Sequence, residues 1–271
     1  MGARIGTPLV LVTRPQEGGR DLAAQLRARG RDALWWPAFD LLPPEEPQLL
    51  REHAARLASF DLLVFVSVPA VERFAAALRA VHAHGPWPQL TAIAAVGAAT
   101  GSAARAQLPG ASGARLICPQ GTVAAEGGSE ALWAALQEQG IAPRQVLIVR
   151  AQRGREWLAQ RFAATGASVT QLVAYRREVH RPTAQSWGAV RAVTGAGARL
   201  ALLFSSTEAI DAIADQDWAG AQLQCWRDQA IALCVHARIG ERAQAAGYID
   251  VRHCDARADS VEAALAAPTA A

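Results

Sequence analysis

Short apolar runs recur along the chain: LVLV at 9–12, LLVFV at 62–66, AIAAV at 92–96, RLIC at 115–118, VLIV at 146–149, LALLF at 200–204, AIALCV at 230–235 and YIDV at 248–251. None alternates apolar with polar, so each reads as a strand buried on both faces, the habit of parallel sheets. A small or polar turn follows each run, and then apolar residues spaced for a helix, which predicts repeated βαβ units and an α/β fold.

The pattern also repeats at long range. Val10 to Phe39 lies over Val146 to Tyr175 without a gap, with Arg14/Arg150, Gln16/Gln152, Gly18/Gly154 and Gly30/Gly166 among the identical pairs. Downstream, LVFVSVPAV at 63–71 meets LLFSSTEAI at 202–210, and AVGAATG at 95–101 meets CVHARIG at 234–240. Arginine and glycine matches carry more weight than alanines in an alanine-rich chain. Two copies of one α/β unit are expected, a period far longer than that of solenoid repeats.

After the first strand and helix, each copy runs into an extended segment, DALWWPAFDLLPPEEP or ASVTQLVAYRREVHRP, that ends in proline. Proline is not tolerated inside a central strand, so these segments suit connectors between two domains that pair with each other. Phe39 and Tyr175 occupy matching places on them.

Composition narrows the function classes. A chain of 271 residues suits two domains, and 51% hydrophobic residues are ample for two cores. The net charge of +3, with acids spread throughout, lacks the basic stripe of a nucleic-acid binder. Cys118, Cys225, Cys234 and Cys254 form no CxxC pair, which suits a reducing compartment. Cys234 with His236 and His253 with Cys254 lack a second ligand pair at metal spacing, so no metal is expected. The apolar run in MGARIGTPLVLVTRP is too short for a signal segment, and no stretch approaches a membrane span. A cytoplasmic protein is expected.

The ordered set VLVTRP (10–15), PAFDL (37–41), FDLLVFVS (60–67), AVGAATG (95–101), GGSEALWAAL (127–136), VLIVRAQRGREWLAQRFAATGASV (146–169), AYRRE (174–178), LLFSSTEAI (202–210), CVHARIGERA (234–243) and DSVEAAL (259–265) resembles the uroporphyrinogen-III synthase family over nearly the whole chain. The resemblance implies two similar domains, each a parallel sheet flanked by helices, joined by a two-stranded β-ladder. Domain 1 would comprise residues 1–35 and 178–271, domain 2 residues 41–170, and the linker strands 36–40 and 171–177. It also implies the reaction: hydroxymethylbilane, a linear tetrapyrrole, loses its terminal hydroxyl as water and closes with inversion of ring D. No metal or organic cofactor is implied. The implied partners are the polycarboxylate substrate and transient contact with hydroxymethylbilane synthase, with the chain acting as a monomer and with no nucleic acid or membrane.

A substrate with eight carboxylates can be held by helix N-termini and polar residues just after strands. Thr13, Arg14, Ser67, Gly97, Thr100, Ser129, Arg150, Ser205, Ser206, His236 and Arg238 stand at such places. Each Ser or Thr also reads as a helix N-cap that needs no ligand. Arg150 reads either as a carboxylate ligand or as a brace for the turn before Gly154.

Tyr175 is one of two tyrosines beside eight tryptophans. The resemblance makes it the general acid for departure of the substrate hydroxyl; the other reading is an aromatic that packs, as Phe39 would. A phenol is a weak acid at neutral pH, so it would assist while the larger task is folding the last ring back. Two departures matter: Val66-Ser67-Val68-Pro69-Ala70-Val71 replaces a family pattern with asparagine at the fourth place, and Ala151 replaces a frequent glycine. The rivals are a non-catalytic two-lobed cytoplasmic ligand-binding or sensor protein, and a nucleotide-using α/β enzyme. The second lacks a phosphate-cradling loop, since VGAATG at 96–101 is too loose a match.

Overall fold

The computed structural model describes residues 7–81, 86–119, 128–216 and 227–267; Cys225, Gly127 and the first six residues considered above lie outside them. The chain divides into two compact units, Met1–Leu41 with Glu178–Ala271, and Leu42–Arg177. The first unit opens with β1 (Leu9–Val12), α1 (Gln16–Ala28), β2 (Ala33–Trp35) and the start of β3 (Phe39–Leu42). The second holds α2 (Pro47–Ala55), β4 (Leu62–Phe65), α3 (Val68–Val81), β5 (Ala92–Ala95), α4 (Ala98–Gln107), β6 (Leu116–Ile117), α5 (Ser129–Glu138), β7 (Gln145–Ala151), α6 (Trp157–Ala164) and most of β8 (Ser168–Val179). The first unit resumes with α7 (Ala184–Gly195), β9 (Leu200–Phe204), α8 (Thr207–Ala214), β10 (Ile231–Cys234), α9 (Ala237–Ala245), β11 (Asp250–His253) and α10 (Ala258–Ala266).

In the first unit the strand order is β11-β10-β9-β1-β2, and every pairing is parallel. In the second it is β3-β8-β7-β4-β5-β6, parallel from β8 through β6. Read from its other end and without β3, this is the order of the first sheet: β4, β5 and β6 correspond to β9, β10 and β11, and β7 and β8 to β1 and β2. The sequence repeat is therefore a repeat of topology. β1 and β4 are buried over their whole length because helices cover both faces of a doubly wound sheet. Each fully buried Leu or Val contributes about 1.5–3 kcal/mol, so the strands are held chiefly by what lies above and below them.

The apolar runs became strands, β11 beginning two residues later than YIDV suggests. The extended segments behave differently. Residues 168–175 of β8 pair with β7, so most of the stretch expected to be a linker strand is part of the second unit's sheet. The β7–β8 register runs from Gln145↔Ser168 to Arg150↔Val173 and then jumps to Ala151↔Tyr175. Ala174 is the extra residue of a bulge, and bulges re-aim the side chains beside them. Strand alternation breaks there: Leu172, Ala174 and Tyr175 are all buried. β3 is shorter and only half buried, and Phe39 packs at the margin of the first unit's core.

Candidate functional site

Each unit has a topological switch point, where successive strands leave a central strand in opposite directions. In the first unit it falls between β1 and β9, and in the second between β4 and β7. Open α/β sheets bind ligands outside the carboxyl ends of the strands at such points, where loops diverge and leave room. Thr13 and Arg14 follow β1, Ser205 and Ser206 follow β9, and His236 and Arg238 follow the adjacent β10. In the second unit Ser67 follows β4, Gly97 and Thr100 lie beyond β5, Arg150 is near the end of β7, and Tyr175 is late on β8. Ser129 opens α5.

These residues do not share one role. Thr13 is fully buried, and its hydroxyl donates to Leu203 O at 2.6 Å, bracing β1 against β9 across the switch point. Ser206 accepts Ala209 N–H at 3.2 Å and is an N-cap, as the simpler reading had it. Thr100 is buried within α4, and Gly97 has extended backbone with open space beside it, so nothing there requires a glycine. Arg14, His236 and Arg238 form no ion pair among the described residues, and His236 and Arg238 are exposed. The first unit thus presents two guanidiniums and an imidazole at neighbouring strand ends.

The repeat-related arginines have diverged. At both positions a glycine four residues on makes room for the guanidinium: a Cβ on Gly18 would stand 3.3 Å from Arg14 Cζ, and one on Gly154 3.1 Å from Arg150 Nη2. Arg150 is only 6% exposed. Its Nη1 donates to Glu156 and Gln171, and its Nε to Ala151 O at 3.2 Å. The Gln171 amide foremost, with the Arg150 guanidinium, holds the Glu156 carboxyl below the usual carboxylate range, against the opposing effect of desolvation. The charge of Arg150 is thus met inside the unit, by the arrangement expected of a brace.

Tyr175 is 1% exposed, yet its hydroxyl lies 3.1 Å from Ser67 Oγ and within 3.4 Å of an Arg177 Nη2 donor. Ser67 Oγ also accepts Ala70 N–H at 3.3 Å, capping α3, whose second residue is Pro69. Both oxygens thus accept from an N–H, and one hydroxyl hydrogen fills the line between them. If Ser67 donated, the phenol hydrogen would be left in the interior without an acceptor among the described residues, at a cost of about 1–3 kcal/mol. If Tyr175 donates, the spare hydrogen belongs to Ser67, which is partly exposed and can be satisfied by solvent. The order Arg177 to Tyr175 to Ser67 is the one that leaves no buried hydrogen unpaired.

Residues 20–254 match the family model for uroporphyrinogen-III synthase HemD. The chain belongs to the uroporphyrinogen-III synthase family. It is 33% identical to the uroporphyrinogen-III synthase of Escherichia coli K12 over 169 residues, which is 62% of this chain and 64% of that protein. The enzyme of the same name from Synechococcus elongatus is 31% identical over 171 residues, 61% of this chain and 59% of its own. The matched part is thus less than two thirds of the length of these curated relatives. Among solved structures, a mutant uroporphyrinogen III synthase from the extremely thermophilic bacterium Thermus thermophilus superposes with a TM-score of 0.56 at 18% identity, covering 92% of both chains. The Helicobacter pylori 26695 uroporphyrinogen-III synthetase gives 0.52 at 15% identity, covering 96% of this chain and 98% of that one. These two likenesses speak for the shared fold.

Within this family frame, Arg177 is the polar residue that the sequence reading passed over. The signal was available: two places along a strand from Tyr175, it projects to the same face. Glu156 and Gln171, which claim Arg150, had no such local signal. A cavity of about 530 Å³ lies at the opposite, N-terminal end of the second sheet, lined by Trp133, Arg144, Gln145, Phe162 and Ser168 among others, and none of the expected substrate-binding residues borders it. Burial pushes the Cys234 thiol up to about 12 and the Cys254 thiol up to about 11, which removes them as thiolate nucleophiles near neutrality. No group of His, Cys, Asp and Glu able to hold a metal occurs among the described residues, and no helix there is long and apolar enough to cross a membrane.

Proposed function

We propose that this chain is a uroporphyrinogen-III synthase: a lyase that takes hydroxymethylbilane, removes its terminal hydroxyl as water and closes the macrocycle with inversion of ring D. Family membership supports the reaction class. The observation that carries the reading to residues is the buried Tyr175 phenol, hydrogen-bonded to Ser67 at the switch point of the second unit. Departure of hydroxide from the hydroxymethyl carbon on the first pyrrole needs a proton, and Tyr175 is its source. Loss of water leaves an electrophilic azafulvenium, the N-protonated azafulvene, on the first ring. The substituted α-carbon of the last ring attacks it, and the resulting spiro intermediate opens and recloses with that ring inverted. The proton lost from the closing pyrrole restores the acid, so the residues end as they began.

Substrate carboxylates are assigned to Arg14, His236 and Arg238, which form no ion pair among the described residues, and to the backbone N–H groups opening α3, α4, α8 and α9. Binding by several such donors spreads the load of a polyanion without a large basic patch. Each such contact also restricts the conformations of a flexible substrate, which lowers the entropic part of the barrier. The substrate, transient contact with the hydroxymethylbilane synthase that releases it, a monomeric state and a cytoplasmic setting belong to the same proposal.

The test supplies hydroxymethylbilane in situ from its synthase, adds the purified protein, oxidises the products and separates the porphyrin isomers. The type III isomer should dominate in proportion to added protein. Type I alone, at the rate seen without protein, overturns the enzyme reading, and slowed closure without turnover would mark a binding protein instead.

A further inference from the structure

The direction of the hydrogen bonds around Tyr175 constrains the route of the proton. The phenol is 1% exposed and Ser67 is partly exposed, so donation from Tyr175 to Ser67 across their 3.1 Å contact is the direction that leaves no buried hydrogen unpaired and puts the spare hydrogen on the serine. An external oxygen atom can therefore reach the serine hydroxyl and not the phenol. We infer that Ser67 Oγ–H delivers the proton to the leaving hydroxyl, and that Tyr175 acts behind it by reprotonating Ser67. This assignment rests on the proposed synthase reaction and specifies which atom of that site meets the substrate.

The step balances. As the C–O bond of the hydroxymethyl group breaks, its electron pair takes the Ser67 hydrogen and leaves as water. In the same step the Tyr175 O–H bond breaks, its proton passes along the 3.1 Å contact to Ser67 Oγ, and the phenolate remains beside the Arg177 guanidinium. When the ring closes, the proton released by the last pyrrole returns through Ser67 to Tyr175. The Ala70 N–H holds Ser67 Oγ throughout, so the serine rotamer is fixed by the start of α3. Arg177, 3.4 Å from the phenol oxygen and 5.9 Å from the ring centre, is the positioning residue. The same arrangement accounts for a side chain at the Phe39-equivalent place that keeps a hydroxyl: the ring packs, and the oxygen serves Ser67.

The experiment compares the native chain with Ser67→Ala, Ser67→Thr, Tyr175→Phe and the double variant Ser67→Ala/Tyr175→Phe in the isomer assay. Circular dichroism on every variant confirms the fold. Ser67→Ala and Tyr175→Phe should each lower kcat for the type III product by ~100-fold with KM little changed, while Ser67→Thr, which keeps the hydroxyl, restores most of the rate. The double variant should be no slower than the slower single variant, because both residues act in one chain of transfer. The dependence of kcat on deuterium content should bow for the native protein, with two protons in flight, and become linear in Tyr175→Phe. Native kcat in Ser67→Ala, or losses that multiply in the double variant, would overturn the relay. Failure of the parent reading looks different, since the native protein itself would then make no type III isomer.

Discussion

Arg14 and Arg150 hold matching places in the repeat, and replacing each by alanine should separate a ligand from a brace. Arg150→Ala removes three hydrogen bonds, to Glu156, Gln171 and Ala151 O, from a side chain that is 7% exposed. Bonds to charged groups are worth about 1.5–3 kcal/mol each when buried. Glu156 is 51% exposed, however, so solvent screens its share and the pair counts for little more than a surface bridge. The whole substitution should cost about 2–3 kcal/mol, a fall of about 10 °C in the melting of the second unit. Arg14→Ala breaks no ion pair among the described residues and should shift stability by no more than about 0.5 kcal/mol. It should instead raise KM for the proposed substrate, hydroxymethylbilane, by ~10-fold or more, the worth of one charge-assisted contact. Differential scanning calorimetry and the isomer assay on both variants decide the matter. An Arg150→Ala protein that melts like the native chain but binds substrate poorly, beside an Arg14→Ala protein that melts early, would refute the division.

Asp250 is a second lever. Its carboxylate takes Arg252 at 2.8 and 2.9 Å and Arg199 at 2.9 Å, while Arg252 also donates to Ala264 O and Ala267 O and so ties β11 to the end of α10. The Arg252 hydrogen bonds first, with Arg199, hold the Asp250 carboxyl below its usual range despite desolvation. A lowered folded-state pKa gives stability that is present above the unfolded carboxylate value of about 3.9 and lost as pH falls through the folded value. Asp250→Asn should therefore cost about 3 kcal/mol at pH 7, and urea titrations should show that deficit shrinking at acid pH below about 3.9; a deficit that does not change with pH rules out the charge as its cause. Gly19→Ala would put a Cβ 2.0 Å from Arg14 O and 2.8 Å from Trp35 Nε1, so the turn after β1 must move. About 3 kcal/mol or more is expected to be lost, whereas Gly18→Ala, facing only a movable guanidinium tip, should be nearly neutral by thermal melting. Thr13→Val keeps the shape and leaves Leu203 O without its 2.6 Å donor, so a loss of about 1 kcal/mol in unfolding free energy with unchanged KM is expected. A large rise in KM would return Thr13 to the ligands.

Much of the fold was legible because the strands are parallel and buried on both faces. Continuous apolar runs such as Leu9–Val12 and Leu200–Phe204 mark such strands without help from partners, and they appear with those bounds. The α/β class and the duplicated order of elements follow from runs, turns and repeat alone, because each is a local or self-referential signal. Of the site, sequence determined which residues follow the strands, and hence which are candidates. It did not separate Arg14 from Arg150, since the difference lies in Glu156 and in Gln171 on a neighbouring strand. Nor did it foresee that Thr13 spends its hydroxyl on Leu203, 190 positions away. Tyr175 shows the division most sharply. Sequence determined that an aromatic with a hydroxyl stands opposite Phe39 in the repeat, but its burial comes from the bulge at Ala174 and its partner from a strand end 108 positions earlier. Strand register and long-range hydrogen bonds are properties of neighbours brought together by folding, so only the tertiary structure could set the Ser67 hydroxyl within reach of the Tyr175 phenol.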